Sequence, residues 1–336
     1  MLRLIACFSL LCLMQVASAA EDKFDTWLID LKKEALSKGI TPETVDSALS
    51  SVQFVERVIS SDRSQAEFKE TYEEYLSKRV SEFRIRKGKA YLEEHGDAVE
   101  AVTATYGVPA RVVVSIIGVE TNYGTFTLKH SMFDVLSTLA YDKRRGARFR
   151  KEIFAALEIL DKGHAELSQL KSSWAGALGV PQFMPSTYLQ FAQDFDGDGT
   201  KNIWEHGPDL WASVAKYLSH YGWDNKKTWA RKVIIPENGV ESLESDKQNI
   251  MPVPKSCVRY KKHLQGWKSL SDWNEKGVRR LNRQSLPQVD IAASMIVTSP
   301  DESLAYLVYG NFCVLMRYNP SFKYALAVGV LSDKLK

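Results

Sequence analysis

The sequence predicts a mainly α-helical protein with a smaller mixed portion, an α+β class overall. Three observations carry that expectation. Phe24, Trp27, Leu28, Leu31 and Ala35 recur along one face of a helix. Phe149, Ile153, Leu157 and Leu160 repeat the pattern, as do Trp211, Val214, Ala215 and Leu218. After Trp223 the character changes: "RKVIIPENGV" and "AYLVYGNFCVLMRY" place Pro, Asn and Gly between β-branched and aromatic runs, which are strand and turn signals.

The chain opens with a short basic start, Met1-Leu2-Arg3, an apolar run from Leu4 to Val16, and the small-residue pattern Ala17-Ser18-Ala19. This reads as a secretory signal over 1–19, too short for a membrane span. Leu4-Ile5-Ala6-Cys7 loosely mimics an acylation site, but Cys7 would leave almost no apolar segment before it. Next comes a helical region over 20–100. Its first helix stops at Gly39, and Thr41-Pro42 then offers a capping hydroxyl followed by Pro at the first helical position. Residues 65–94, rich in Glu, Lys, Arg and Tyr, are expected to be helical and largely exposed. Gly107-Val108-Pro109 punctuates the chain before a buried helix that opens a core region over 101–227. A small mixed domain follows over 228–302. The segment 303–336 returns to the core, with Tyr324 to Leu331 as a helix.

No later stretch reaches the ~18 apolar residues that a span requires, so a soluble, exported protein is expected. With Arg3 removed, 43 basic residues face 41 acidic ones. That near-neutral balance argues against a dedicated nucleic-acid binder. Beyond the signal only Cys257 and Cys313 remain. An exported chain with two cysteines can form one bridge or keep two buried thiols, and both readings stay open.

"DFDGDGTKNIWE", residues 194–205, is the sharpest local signal. Asp194, Asp196 and Asp198 occupy positions 1, 3 and 5 of a twelve-residue calcium loop, Thr200 position 7 and Glu205 position 12. Carboxylates this close repel one another unless a hard cation lies between them. A single loop of this kind suits a structural Ca2+ better than a sensor, and an acidic surface turn is the plain alternative.

"SSWAGALGVPQFMPSTY", residues 172–188, mixes Gly and Pro with aromatics, Ser and Gln. Such a mix suits a sugar-binding cleft, where rings stack on sugar faces and amides bond hydroxyls; it suits a packed loop equally. Zinc pairs, nucleophile elbows, phosphate loops and organic-cofactor signatures are missing from the sequence. That gives weight to Glu120. It ends the apolar run Val112 to Val119, with no Lys or Arg within four residues. Near a helix C-terminus and among apolar neighbours, a carboxyl pKa rises. A protonated Glu near neutral pH is what a general acid for glycosidic cleavage requires, although a Glu paired with a distant Arg is the bland reading.

Together the motifs resemble the lytic murein transglycosylase B family. The residues carrying the resemblance are Gly118 to Thr121 with Tyr123-Gly124, Ser173, Ala175 to Gly179, and Gln182 to Ser186. It continues through Asp194 to Gly199, Val214 to Tyr217, Arg317 to Asn319, and Tyr324-Ala325. The resemblance implies a lysozyme-like helical core over 101–227 holding the calcium loop, a helical N-terminal region and an inserted mixed domain. It implies cleavage of the β-1,4 bond between N-acetylmuramic acid and N-acetylglucosamine in peptidoglycan. The muramyl 6-hydroxyl replaces water and leaves a 1,6-anhydro end, and Glu120 serves as acid and then base. Ser173, Gln182, Phe183, Tyr217 and Tyr318 would contact the glycan, and Arg145 its peptide or carboxylate groups. The last calcium ligand in the family can lie beyond position 12, so Asp209 competes with Glu205. Peptidoglycan strands are the expected partner, with cell-wall synthesis proteins as further candidates, for a soluble periplasmic monomer. Two rival functions stay open: a hydrolytic muramidase with the same cleft, and a non-catalytic, calcium-stabilised glycan-binding envelope protein.

Overall fold

The computed structural model describes residues 23–63, 70–237, 239, 243 and 250–336. The expected signal segment 1–19, including Cys7, and residues 65–69 of the charged stretch lie outside them. The chain runs α1 (23–37), α2 (Pro42–Leu49), α3 (Glu56–Arg63), α4 (Tyr72–Arg79), α5 (Glu82–Ala104), α6 (Ala110–Thr121), β1 (His130–Ser131), α7 (Met132–Tyr141) and α8 (Gly146–Asp161). It continues with β2 (Lys171–Ser172), α9 (Pro185–Phe191), α10 (Pro208–His220), β3 (Ala230–Ile234), α11 (Leu270–Glu275), β4 (Arg279–Arg280), β5 (Ser294–Val297), β6 (Leu304–Val308), α12 (Gly310–Tyr318) and α13 (Phe322–Lys334). Two compact units emerge, each assembled from two separate stretches: residues up to 65 with 127–205, and 66–126 with 206–336.

In the first unit α7 and α8 pack together, with α3 against α7 and both α2 and α9 against α8. Phe133, Leu136, Ile153, Leu157 and Tyr188 fill the space between them. The entry to α2 follows the sequence: the Thr41 hydroxyl accepts from Thr44 N, and Pro42 takes the first turn. Thr41 also donates to Asp161 at the end of α8, through its backbone N (3.0 Å) and its hydroxyl (2.6 Å). Glu152, buried on α8, accepts from Ser186 N (2.9 Å) and Ser186 Oγ (2.8 Å), which fixes the start of α9.

In the second unit α6 is the central element. Almost every residue from Ala110 to Val119 is buried, and α5 and α13 pack along it. The strands form an antiparallel sheet in the order β4-β3-β6-β5. Val233, Leu270, Trp273, Val278 and Leu307 make its own apolar core. A disulfide joins Cys257, in the 3-10 turn Lys255–Tyr260, to Cys313 in α12.

Two expectations change. The 65–94 stretch is helical where described but not largely exposed: Tyr75, Arg84, Ile85, Gly88 and Tyr91 are buried, and Ser81 caps a new helix within it. Its charges hid the spacing of those few inward residues. The strand signal in "AYLVYGNFCVLMRY" holds for Leu304–Val308 only; α12 follows from Gly310. Asn311 to Met316 are all buried, so that run has no alternation and no stripe to read.

Candidate active site

Glu120 lies in the last turn of α6, half-buried. The helix stops there because Asn122, Tyr123 and Gly124 all adopt left-handed backbone, with φ of 50°, 59° and 69°. A non-glycine Tyr in that region needs tertiary support. Its ring folds back over Gly118, where an added Cβ would come within 2.6 Å of Tyr123 Cζ. Its hydroxyl donates to Arg84 O at 3.0 Å. Thr121 Oγ1 accepts from Gly124 N at 3.0 Å, and Lys87 Nζ donates to Asn122 O at 2.9 Å. Each residue after Glu120 is therefore fixed, and the carboxylate has a set direction.

Tyrosines from α12 and α13 meet it. Burial first, then the Glu120 charge, push the Tyr318 hydroxyl well above the ordinary phenol range. Tyr324 is pushed up for the same two reasons in the same order, with Tyr318, a bond toward Glu120 and Tyr75 contributing after them. The Tyr324–Glu120 approach falls short of a well-formed hydrogen bond. Tyr318 and Tyr324 stack with ring centroids 6.4 Å apart and 9° between planes. Tyr217 stands edge-on to Tyr318 at 5.0 Å. The Tyr217 hydroxyl donates to Arg317 O, so it positions the end of α12. The result is a carboxyl group beside phenols that stay protonated, in surroundings that disfavour charge.

The other expected residues lie in the first unit. Ser173, Gln182 and Phe183 share one loop. Ser173 Oγ accepts from Ala177 N at 3.2 Å, and Leu178 and Phe183 exchange both backbone bonds, at 2.7 and 3.1 Å. Gly179, with φ of 60°, has no room for a side chain: its Cβ would sit 2.6 Å from Ile203 O. Gln182 takes φ of 53° and donates from Nε2 to Gly179 O at 2.9 Å. Phe183 is 2% exposed, so its ring packs inside the unit beneath the loop. Arg145 is held by the buried carboxylate of Asp62, which Arg144 also contacts.

The acidic loop is built as its spacing requires. Asp194 accepts from Gly197 N (2.8 Å) and Gly199 N (3.1 Å), and Asp198 from Thr200 N (2.7 Å) and Thr200 Oγ1 (2.8 Å). The Thr200 hydroxyl, then its N–H, holds the Asp198 carboxyl below its usual range. Asp194, Asp196 and Asp198 each bring a carboxylate oxygen within 4.8 Å of the others. That donor set fits a hard cation. Glu205 is exposed and accepts from Asn202 Nδ2 at 3.2 Å. Asp209 belongs to the second unit, buried in the first turn of α10.

Tyr324 and Tyr75 have no local sequence signal marking them as neighbours of this site; Tyr324 stood out only within the matched Tyr324-Ala325 motif.

Residues 23–333 match the family described as the transglycosylase SLT domain. The chain belongs to that family. Among its relatives is the membrane-bound lytic murein transglycosylase B of Escherichia coli K12, 37% identical over 150 residues. That alignment covers 44% of this chain and 41% of the relative, so it spans less than half of the relative's length. Pseudomonas aeruginosa SltB3, solved in complex with NAG-anhNAM-pentapeptide and with NAG-NAM-pentapeptide, superposes with TM-scores of 0.81 and 0.82 at 36% identity. The match covers 93% of this chain and 79% of SltB3. Escherichia coli Slt35 in complex with calcium gives 0.73 at 26% identity, covering 92% of each chain. The SLT-family chain thus has the mainly helical, lysozyme-like fold of the lytic transglycosylases.

Proposed function

We propose that this protein is a lytic transglycosylase of peptidoglycan, with Glu120 as its single acid/base. The observation that carries the reading is the placement of Glu120: a half-buried carboxyl at the end of a buried helix, against tyrosines that keep their protons. Burial and the carbonyl end of α6 favour the neutral carboxyl, which can give its proton to the glycosidic oxygen. The carboxylate left behind then accepts the proton of the muramyl 6-hydroxyl as that oxygen bonds to C1. No water enters, and one carboxyl closes the cycle. Ser173 and Gln182, on a loop with a fixed backbone, are the polar groups proposed to contact glycan, with Tyr318 offering a hydroxyl and a ring face. Phe183 and Tyr217 serve by holding these elements in place, and Arg145, neutralised by Asp62, is the proposed contact for carboxylate groups. Digestion of purified sacculi tests the reaction. The expected products carry anhydromuramyl ends, and reducing ends about 18 Da heavier, by one water, would establish hydrolysis instead.

A structural Ca2+ is proposed at Asp194, Asp196, Asp198 and Thr200, with Glu205 or Asp209 as the last ligand. Bound, the ion supplies charge neutralisation to the loop that also tethers Gly179 and Val180 through Ile203. Removing it should lower the melting temperature and leave the initial rate at low temperature nearly unchanged. With free calcium at ~100 Kd the stabilisation is about 2.7 kcal/mol. Thermal melts in excess chelator and in calcium check this, and superimposable curves would remove the ion from the account. Glu205→Gln and Asp209→Asn identify the last ligand by which one abolishes the calcium-dependent increment. Export to the periplasm is part of the same proposal, and no described helix is long and apolar enough to cross a membrane.

A further inference from the structure

The second unit contains an open groove of about 570 Å³ that the proposed reaction does not use. One wall is the end of α10 and the turn after it, His220 to Lys227. The opposite wall is Pro254 to Ser256, and the floor is the start of α12 with Arg317. The walls are pinned. Asn311, 2% exposed, accepts from Asp224 N at 2.9 Å and donates to Asp224 O (2.8 Å) and Lys227 O (2.7 Å). Ser256 Oγ donates to Gly310 O at 2.9 Å. The disulfide joins the next residue of one wall, Cys257, to Cys313 of the floor helix.

The charge in this groove is unbalanced. Lys227 is matched by Asp224 at 2.9 Å. Among the described residues, no ion pair joins Lys255 or Arg317 to a carboxylate. The Arg317 guanidinium lies 5.1 Å from the Tyr221 ring centroid and 6.0 Å from that of Tyr260. Its Nε is buried and makes no hydrogen bond. Ring contacts of this kind hold a guanidinium as a preset fork, the geometry that favours a planar oxyanion. The groove is of the size that encloses a ligand of several residues, far larger than a bare anion needs. Gly222, Pro254 and Gly310 line it with little side chain, which lets an extended backbone approach.

We infer that this groove binds a short peptide through its carboxylate, with Arg317 and Lys255 as the anion-holding pair. The inference rests on the proposed function only for the source of that peptide, the stems carried by the glycan substrate. The site itself would select strands by their peptide ends.

Titration of the full-length protein with an N-acetylated pentapeptide, its C-terminally amidated twin and inorganic phosphate tests this by calorimetry. The free acid should bind saturably, and the amide at least about tenfold more weakly, since one charge-assisted contact is lost. Lys255→Gln and Arg317→Gln should each weaken the free acid by roughly the same factor. Lys255 is exposed, so its variant folds even if loss of the Arg317 stacking lowers stability. Equal binding of acid and amide, or undiminished binding by Lys255→Gln, overturns the inference. So does a phosphate complex that the peptide fails to displace, which would make this an inorganic-anion site. Because the probe contains no glycan, peptide binding without wall cleavage would overturn the transglycosylase reading alone. Cleavage without peptide binding would overturn this one alone.

Discussion

Glu120→Gln should reduce release of muropeptides by about a thousandfold or more while the protein keeps its fold. The substitution preserves shape and hydrogen-bonding capacity but can neither give nor take the proton. A single general acid/base contributes ~10²–10⁴ in rate, and here one group is asked to serve in both steps. Stability should hold or rise slightly. The change removes a half-buried negative charge from the carbonyl end of α6, where the helix dipole opposes it. A second readout is independent of substrate. The Glu120 charge is the second-largest cause of the raised pKa of both Tyr318 and Tyr324. In the variant that contribution disappears, so both phenols should ionise at lower pH than in the wild type, though burial keeps them above the ordinary range. Difference absorbance of tyrosinate against pH reads this directly. A variant with wild-type turnover would remove Glu120 from the chemistry. Unchanged tyrosine titration would show that the carboxyl does not face them.

What was legible in the sequence was what is local. The stripes in 24–35, 149–160 and 209–220 became helices because each needs only its own spacing to bury one face. The calcium loop was legible because all its early carboxylates lie within five residues, held by turns at Gly197 and Gly199. Glu120 was legible as a charge out of place. The partners that give it meaning were not. Tyr324 is some two hundred residues away in sequence, and packing of α13 along α6 brings it near. Arg145 reads as a free cation in "YDKRRGARF", but Asp62, from α3, already neutralises it. Phe183 reads as a ring available for stacking, yet the backbone pairing of Leu178 with Phe183 turns it inward. The division into two units, each made of two separated stretches, has no local signal at all. Periodicity reports which face of a segment is apolar and cannot report what covers it.

Replacing both Cys257 and Cys313 by Ala should cost about 4 kcal/mol of unfolding free energy in the chain-entropy model. The bridge closes a loop across 56 residues of sequence, and that loop contains α11 and most of the sheet's connections. Both cysteines are fully buried, so added reductant should leave the folded wild type largely oxidised until it opens. The loss should be felt first at the joint between the 3-10 turn Lys255–Tyr260 and α12, because the bridge is the covalent tie there. Two hydrogen bonds remain, from Tyr260 Oη to Met316 O at 2.7 Å and from Ser256 Oγ to Gly310 O at 2.9 Å. They hold the joint in the native state but leave the unfolded chain unconstrained. Urea titration of the double variant should therefore give an earlier midpoint while the specific activity of the folded fraction stays close to wild type. Glu120 sits on α6, and its Tyr318 neighbour is held by Tyr217 through Arg317 O, a contact that the substitution leaves in place. An unchanged midpoint would mean that the reduced chain retains the same closure when unfolded. Loss of activity in step with loss of the bridge would place the disulfide in control of the α12 end that carries Tyr318.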